Sequence, residues 1–182
     1  MKKIVTAALF CSAFAVTSAG AATFYDTSHG FYDGIKVGAV NYDLSNVQNN
    51  SQAGYGLLLG YNFSPNFGAE IEYTWLGGFD YNSGNVKGRA LGISGVATLP
   101  LNQQFSVYGK MGIATTTLDD RARPGFTGDY TYNNTDLTFG LGGLFNVTPV
   151  VGVRVGYDFY TVAGCCNTYA ANMLHVTGVF KF

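Results

Sequence analysis

From Ala53 to Phe63 the chain alternates with a period of two residues. Ala53, Tyr55, Leu57, Leu59, Tyr61 and Phe63 fall on one parity, and Gly54, Gly56, Leu58, Gly60 and Asn62 fall between them. Phe67 to Leu76 repeats the pattern, with Phe67, Ala69, Ile71, Tyr73 and Trp75 against Gly68, Glu70, Glu72 and Thr74. A repeat of 180° per residue is the signature of a strand with two unlike faces, and it is incompatible with an amphipathic helix. Ser64-Pro65-Asn66 separates the two runs with residues suited to a tight turn.

Six further segments carry the same alternation: Ile35, Val37 and Ala39; Leu91, Ile93, Ala97 and Leu99; Phe105, Val107, Met111 and Ile113; Leu137, Phe139, Leu141 and Phe145; Val151, Val153, Val155, Tyr157 and Phe159; Leu174, Val176, Phe180 and Phe182. Their connections alternate in length. Ser64 to Asn66, Pro100 to Gln104 and Thr148-Pro149 are short, whereas Asp43 to Ser51, Gly77 to Val86, Leu118 to Asn133 and Ala163 to Tyr169 are longer and polar. Short turns at one end, long loops at the other and an even number of strands predict an all-β fold: an eight-stranded antiparallel up-and-down transmembrane β-barrel.

Charge tests that prediction face by face. Lys36, Glu70, Glu72, Lys110, Asp136, Arg154, Asp158 and Lys181 all lie opposite the apolar set, and only Lys87 and Arg89 are expected to share its parity, at the loop end of the fourth strand. A cation there costs little compared with about 2–4 kcal/mol at the bilayer midplane. A soluble β-sandwich alternates too, but it carries more charge on its outer face. Composition agrees, since charged residues make up 12% of the chain, about half the usual fraction of roughly 25%. With 47% hydrophobic residues disorder is excluded. Ten basic against eleven acidic side chains leave no cationic stripe for nucleic acid.

Residues 1–21 are expected to be a cleaved export signal. Met1-Lys2-Lys3 is a cationic start, Ile4 to Val16 is free of charge, and Ala19-Gly20-Ala21 offers small residues for cleavage. Bulky Phe10 and a position mid-way through the apolar run argue against Cys11 as a lipidation site. Residues 22–182 then form the barrel domain.

Aromatic residues sort by height once the strands are laid up and down. Phe63, Phe67, Phe105, Phe145, Phe180 and Phe182 gather at the turn end; Tyr55, Tyr73, Trp75, Tyr157 and Phe159 gather at the loop end, as two interfacial girdles. Gly54, Gly56, Gly60, Gly68, Gly92, Gly140, Gly142, Gly152 and Gly156 fall on the inner face, where a narrow barrel holds large residues only beside small ones.

These features together resemble a known family. The leader, Gly54–Phe63, Asn66–Trp75, Phe105–Gly112 and His175–Phe182 resemble the OmpA-like and opacity-type outer membrane β-barrels over the whole of residues 22–182. The resemblance implies an outer-membrane location with both termini in the periplasm. It also implies a non-enzymatic surface protein that supports envelope integrity and binds ligands or host surface molecules through its loops. Its implied partners are outer-membrane lipid, lipopolysaccharide and the barrel assembly machinery, the last recognising Phe180 and Phe182 as a terminal signal. The sequence ends with the eighth strand, so the peptidoglycan-binding domain that follows the barrel in full-length OmpA is expected to be absent.

Candidate chemistry is sparse. The inward Lys36, Lys110 and Arg154 face Glu70, Glu72, Asp136 and Asp158, with His175 on the same parity. They form either an ion path, which would make the chain a narrow channel for small solutes, or a set of neutralising pairs that plugs the lumen; buried charges persist only when paired. Glu70 and Glu72 are spaced as an acid–base pair but equally as salt-bridge partners. A lipid-modifying enzyme would need a nucleophile, base and orienter, and His29, His175 and Thr177 do not assemble them in sequence. The histidines and the two cysteines beyond the leader lack metal-ligand spacing, and no cofactor is expected. Adjacent Cys165 and Cys166 in the last loop allow a vicinal disulfide, an intermolecular bridge or two thiols. The third loop carries Asp119, Asp120, Arg121, Arg123 and Asp129 with Phe126, Tyr130 and Tyr132, suited either to lipopolysaccharide or host contact or to plain solvation.

Overall fold

The computed structural model describes residues 29–42, 51–81, 84–122, 130–163 and 168–182. Eight strands form one closed barrel: β1 (Gly30–Tyr42), β2 (Ser51–Asn62), β3 (Phe67–Tyr81), β4 (Gly84–Pro100), β5 (Phe105–Ala122), β6 (Tyr130–Asn146), β7 (Val151–Ala163) and β8 (Thr168–Lys181). Each pairs antiparallel with its sequence neighbours, and β1 closes on β8 from Tyr32↔Lys181 to Tyr42↔Ala171. Closure leaves no free sheet edge, which is what lets strands stand in hydrocarbon. Among the described residues no helix is long and apolar enough to cross a membrane.

Parity sets the two faces as the alternation predicts. Ile35, Leu57, Ile71, Ile93, Ile113, Leu137, Val155 and Leu174 point outward, each about half exposed. On β5 the apolar outward run from Phe105 to Ile113 covers about 20 Å along the barrel axis at ~3.4 Å per residue and a tilt near 40°. At the loop end Trp75 stacks on Tyr55 with centroids 5.0 Å apart and meets Tyr73 edge-on at 4.4 Å. Tyr157 and Phe159 are 4.7 Å apart on β7. At the turn end Phe105 lies 4.8 Å from Phe145, while Phe180 and Phe182 face outward.

Two expectations need correction. The loops are shorter than the sequence suggested, because β3 and β4 remain paired as far as Tyr81↔Gly84, and β5 and β6 as far as Asp120↔Tyr130. Polar side chains do not interrupt a backbone ladder; they only end the apolar belt, so β4, β5 and β6 run to 17, 18 and 17 residues. Second, Lys87 and Arg89 are not the only charges on the apolar parity. β1 begins at Gly30, which puts Asp33 between outward Phe31 and Ile35, in register with Leu59 and Phe180 near the turn end. With β5 extended, Asp119 shares that parity as well.

The turns are held by their own side chains. Ser64 Oγ accepts from Phe67 N at 3.0 Å, Asn102 Oδ1 from Gln104 N and Phe105 N at 2.8 Å each, and Thr148 Oγ1 from Val151 N at 2.9 Å. One bulge interrupts β3, between Trp75 and Gly77, where Gly77 adopts φ +77 and a Cβ would come within 2.8 Å of the Ala53 carbonyl oxygen.

Inside, glycines make the room. Gly140 is the register partner of both Lys110 and Asp158, and a Cβ there would meet the Asp158 carboxylate and Lys110 Cε. Outward Gly143 on the same strand has nothing nearer than 4.0 Å. Gly140→Ala is therefore expected to destabilise the barrel by about 1–3 kcal/mol as the lumen overpacks. Gly143→Ala should be near neutral. The temperature at which the folded, faster-migrating gel band converts to the unfolded one reads both.

Candidate functional site

The middle of the lumen holds a closed ring of four alternating charges. Lys36 Nζ lies 2.5 Å from Glu72 Oε1 and 3.0 Å from Asp158 Oδ2, and Lys110 Nζ lies 2.8 Å from Glu72 Oε2 and 2.9 Å from Asp158 Oδ2. The four come from β1, β3, β5 and β7, so alternate strands supply the large side chains of this layer. Three of the strands between supply glycine: Lys36 is in register with Gly56, Glu72 with Gly92, and Lys110 and Asp158 with Gly140; the fourth, β8, sets Thr177 beside Lys36 and Met173 beside Asp158. Tyr160 completes the layer, its hydroxyl donating to Glu72 Oε1 at 2.5 Å and accepting from Lys36 Nζ at 3.0 Å. All three protons of the Lys36 ammonium thus have acceptors.

A second group lies next to the ring toward the turns. Arg154 Nη1 pairs with Glu70 Oε1, which also accepts from the Tyr32 hydroxyl at 2.7 Å. The guanidinium sits between two aromatic faces, 5.1 Å from the Tyr32 centroid and 5.0 Å from that of Tyr108. Lys36, Glu70, Arg154 and Asp158 are all buried, between 0% and 6% exposed. Three acids balance three bases across the two groups, which is the condition for charge to persist away from water.

Apolar layers close both sides. Toward the loops Val40, Tyr42, Leu76, Ala90, Ala114, Ala171 and Met173 pack together, with Leu118 against them and the Tyr42 hydroxyl donating to Leu76 O at 2.9 Å. Toward the turns stand Tyr32, Leu58 and Val179, and Val96, Tyr108 and Leu144.

Asp136 was grouped with these residues by parity, but the structure places it apart. It is in register with Ala114, four residues nearer the loop end than Gly140. Its Oδ2 accepts from Asn134 Nδ2, and it makes no ion pair among the described residues. Parity assigns a face and says nothing of height. Lys181, also inward, donates to Asn146 Oδ1 at 2.9 Å near the turn end. The sequence reading places tyrosines in the girdles and omits the lumen tyrosines Tyr32, Tyr42, Tyr108 and Tyr160; their even parity on β1, β5 and β7 is the available signal.

A further row was also unexpected. His175 Nε2 lies 3.2 Å from Asp158 Oδ2, and His175 Nδ1 lies 3.0 Å from Thr177 Oγ1. An acid, an imidazole and a hydroxyl are thus in line, at 0%, 3% and 0% exposure, respectively. Cys165, Cys166, Arg123, Phe126, Asp129 and the leader with Cys11 lie outside the described residues.

The closed eight-stranded barrel agrees with the relatives of the chain. Residues 6–182 match the family model described as outer membrane protein beta-barrel domain. The chain belongs to that family. It is 29% identical to outer membrane protein A of Shigella flexneri over 171 residues, which cover 86% of this chain and 49% of that protein. The chain thus spans about half the length of the curated relative it matches. Neisserial surface protein A superposes with a TM-score of 0.69 at 18% identity, covering 84% of this chain and 97% of that one. Ail, the attachment invasion locus protein of Yersinia pestis, superposes at 0.58 and 17% identity, covering 85% and 97%. The protein is an OmpA-like barrel of the outer membrane.

Removing one member of the buried network leaves its partner charged without compensation. Arg154→Ala is expected to cost about 3–5 kcal/mol in unfolding free energy, and the paired change Arg154→Met with Glu70→Leu to recover most of it. Denaturant unfolding in micelles, followed by the fluorescence of Trp75, measures both.

Proposed function

We propose that the protein is a non-enzymatic surface component of the outer membrane whose barrel is a closed, rigid anchor for its outward-facing loops. The observation that carries this reading is the filled lumen: an electrically balanced charge network between two apolar layers. A solute would have to break buried ion pairs and displace a hydrophobic layer to pass. The narrow-channel reading requires that opening, so conductance is its test.

Burial also supports the absence of catalysis. Thr177 and Asp158 are fully enclosed, so the row Asp158, His175, Thr177 has the elements of a relay but no path for a substrate to reach the hydroxyl. We read it as an anchor for β8 against β7.

Residues 1–21 serve as the export signal, and the strands then run with both termini in the periplasm. Phe180 and Phe182 present their rings outward on the last strand, where the assembly machinery meets a new barrel. The extended loop ends of β3 to β6 face the cell exterior, toward lipopolysaccharide and host surface molecules. Ail has been solved in complex with the heparin analogue sucrose octasulfate, which gives a polyanion of a host surface as a first ligand to try here.

Planar-bilayer recording separates plug from pore. The wild-type barrel is expected to stay closed, and Arg154→Ala to raise the current by opening the charge layer. A steady wild-type conductance, unaffected by Arg154→Ala, would refute the plug. Protease added to intact cells should cut within residues 123–129; cleavage only after lysis would invert the topology.

A further inference from the structure

β1 carries an acid inside the apolar belt. Asp33 stands half-buried between Phe31 and Ile35 along its own strand, and between Leu59 on β2 and Phe180 on β8 across it. All four neighbours point outward and are exposed. Lys87, Arg89 and Asp119 share its parity, but they lie at the loop end, past Leu91 and Ile113, where the apolar runs of β4 and β5 have ended. There Asp119 has Arg89 at 3.4 Å and the Thr131 hydroxyl at 3.1 Å. Asp33 makes no hydrogen bond or ion pair among the described residues. A carboxyl group set in hydrocarbon without a partner is unfavourable, so the partner has to come from outside this barrel.

The surroundings decide what that partner is. Toward the turns, Phe31 meets its register partner Tyr61 edge-on with centroids 4.8 Å apart, so aromatic rings stand between the carboxyl and the lipid headgroups on that side. Beside it Gly178 faces outward as the register partner of Ile35 and Val153, and a Cβ there would meet nothing nearer than 3.9 Å. The wall is flat at that point, and small residues are what let two membrane-embedded surfaces approach closely. Copies of one barrel insert with the same end outward. A two-fold axis relating two of them therefore runs along the membrane normal, and a residue on that axis meets itself at the same height. A cation or a carboxylate cannot pair with its own copy. A carboxyl group in its acid form can, because it carries one O–H donor and a free carbonyl acceptor, and two such groups exchange two hydrogen bonds.

We propose that the outward wall of β1 and β8 is a docking surface for a second copy of this chain, with Asp33 hydrogen-bonded to the partner's Asp33 on the two-fold axis. Ile35, Leu59 and Phe180 pack around the pair. Hydrogen-bond complementarity carries the assignment: the polar group is single, lies in the belt and is able to satisfy its own copy. The pairing does not depend on which end of the barrel faces the cell exterior, since both copies share one orientation.

Sedimentation equilibrium of the full chain, refolded in density-matched pentaoxyethylene octyl ether micelles, measures the pairing; reductant is present so that Cys165 and Cys166 form no bridge. The wild type is expected to dimerise. Asp33→Leu should raise the dimer dissociation constant at least about fivefold, the scale of a polar contact between membrane-embedded segments. Its folded gel band should convert at the same or a higher temperature, because a polar group has left the belt. Asp33→Asn keeps a donor and an acceptor that satisfy their own copy and should dimerise within a few-fold of wild type, whereas Asp33→Lys should be monomeric. A monomeric wild type overturns the proposal. Dimers of folded Asp33→Leu as tight as those of wild type overturn the site. Loss of pairing in Asp33→Asn as complete as in Asp33→Leu overturns the paired hydrogen bonds and shows that the carboxyl meets a cation. The measurement is repeated with phosphatidylethanolamine in the micelles, and a dimer formed only then overturns direct contact in favour of a bridging lipid ammonium.

Discussion

The ring formed by Lys36, Glu72, Lys110 and Asp158 is the constraint around which the rest of the barrel is arranged. Four charges are stable in a low-dielectric interior only where opposite signs meet closely, and here each touches two of opposite sign. Nζ to carboxylate distances of 2.5 to 3.0 Å leave no slack for that geometry. The ring consequently dictates the neighbours. Long side chains reach the axis from alternate strands, and on three of the strands between them glycine stands in register, at 56, 92 and 140. These three glycines are the complement of four charged residues.

The same constraint explains the apolar layers on either side. Water reaching Lys36 or Asp158 would compete with each ion pair and weaken the network that holds opposite walls together. Met173, Val40 and Leu76 above, with Leu58, Val179 and Leu144 below, keep the attraction strong by keeping the dielectric low. The result is a barrel turned partly inside out, with charge at its centre and hydrocarbon side chains on its flank. Hydrocarbon outside does not drive the walls together as water would. Internal polar contacts must therefore supply much of the specificity that a soluble protein takes from its hydrophobic core.

Most of the fold was legible because a strand reports its face in every residue. The alternation of Ala53–Phe63 and Phe67–Leu76, repeated in six further segments, assigned the two faces and the number of strands. Height was not legible, since it depends on register between strands distant in sequence. Asp136 and Asp158 have the same parity and look equivalent in the chain. Four residues of offset send one to the ring and the other to Asn134. Loop ends were misplaced for a related reason. Thr131 and Asn133 read as loop by polarity, yet a β-ladder is made by backbone groups and continues after the apolar belt has ended. Asp33 escaped notice because the apolar set of its strand becomes evident only at Ile35.

Lumen and wall use charge in opposite ways, and the difference follows from solvent. Inside, Arg154 is matched by Glu70 and clasped by two aromatic rings, so its charge is spent on holding β7 to β3 and is silent at the surface. Outside, Arg89 is about half exposed and its carboxylate partner is 3.4 Å away, a pairing that water and salt readily loosen. An exposed pair of that kind contributes little to stability and, at the loop end beyond the apolar runs, also costs little. Asp33 combines the two cases: it has the outward parity of Arg89 but apolar neighbours on every side, and neither an internal partner nor water to satisfy it. A group so placed is accounted for only by something that covers it.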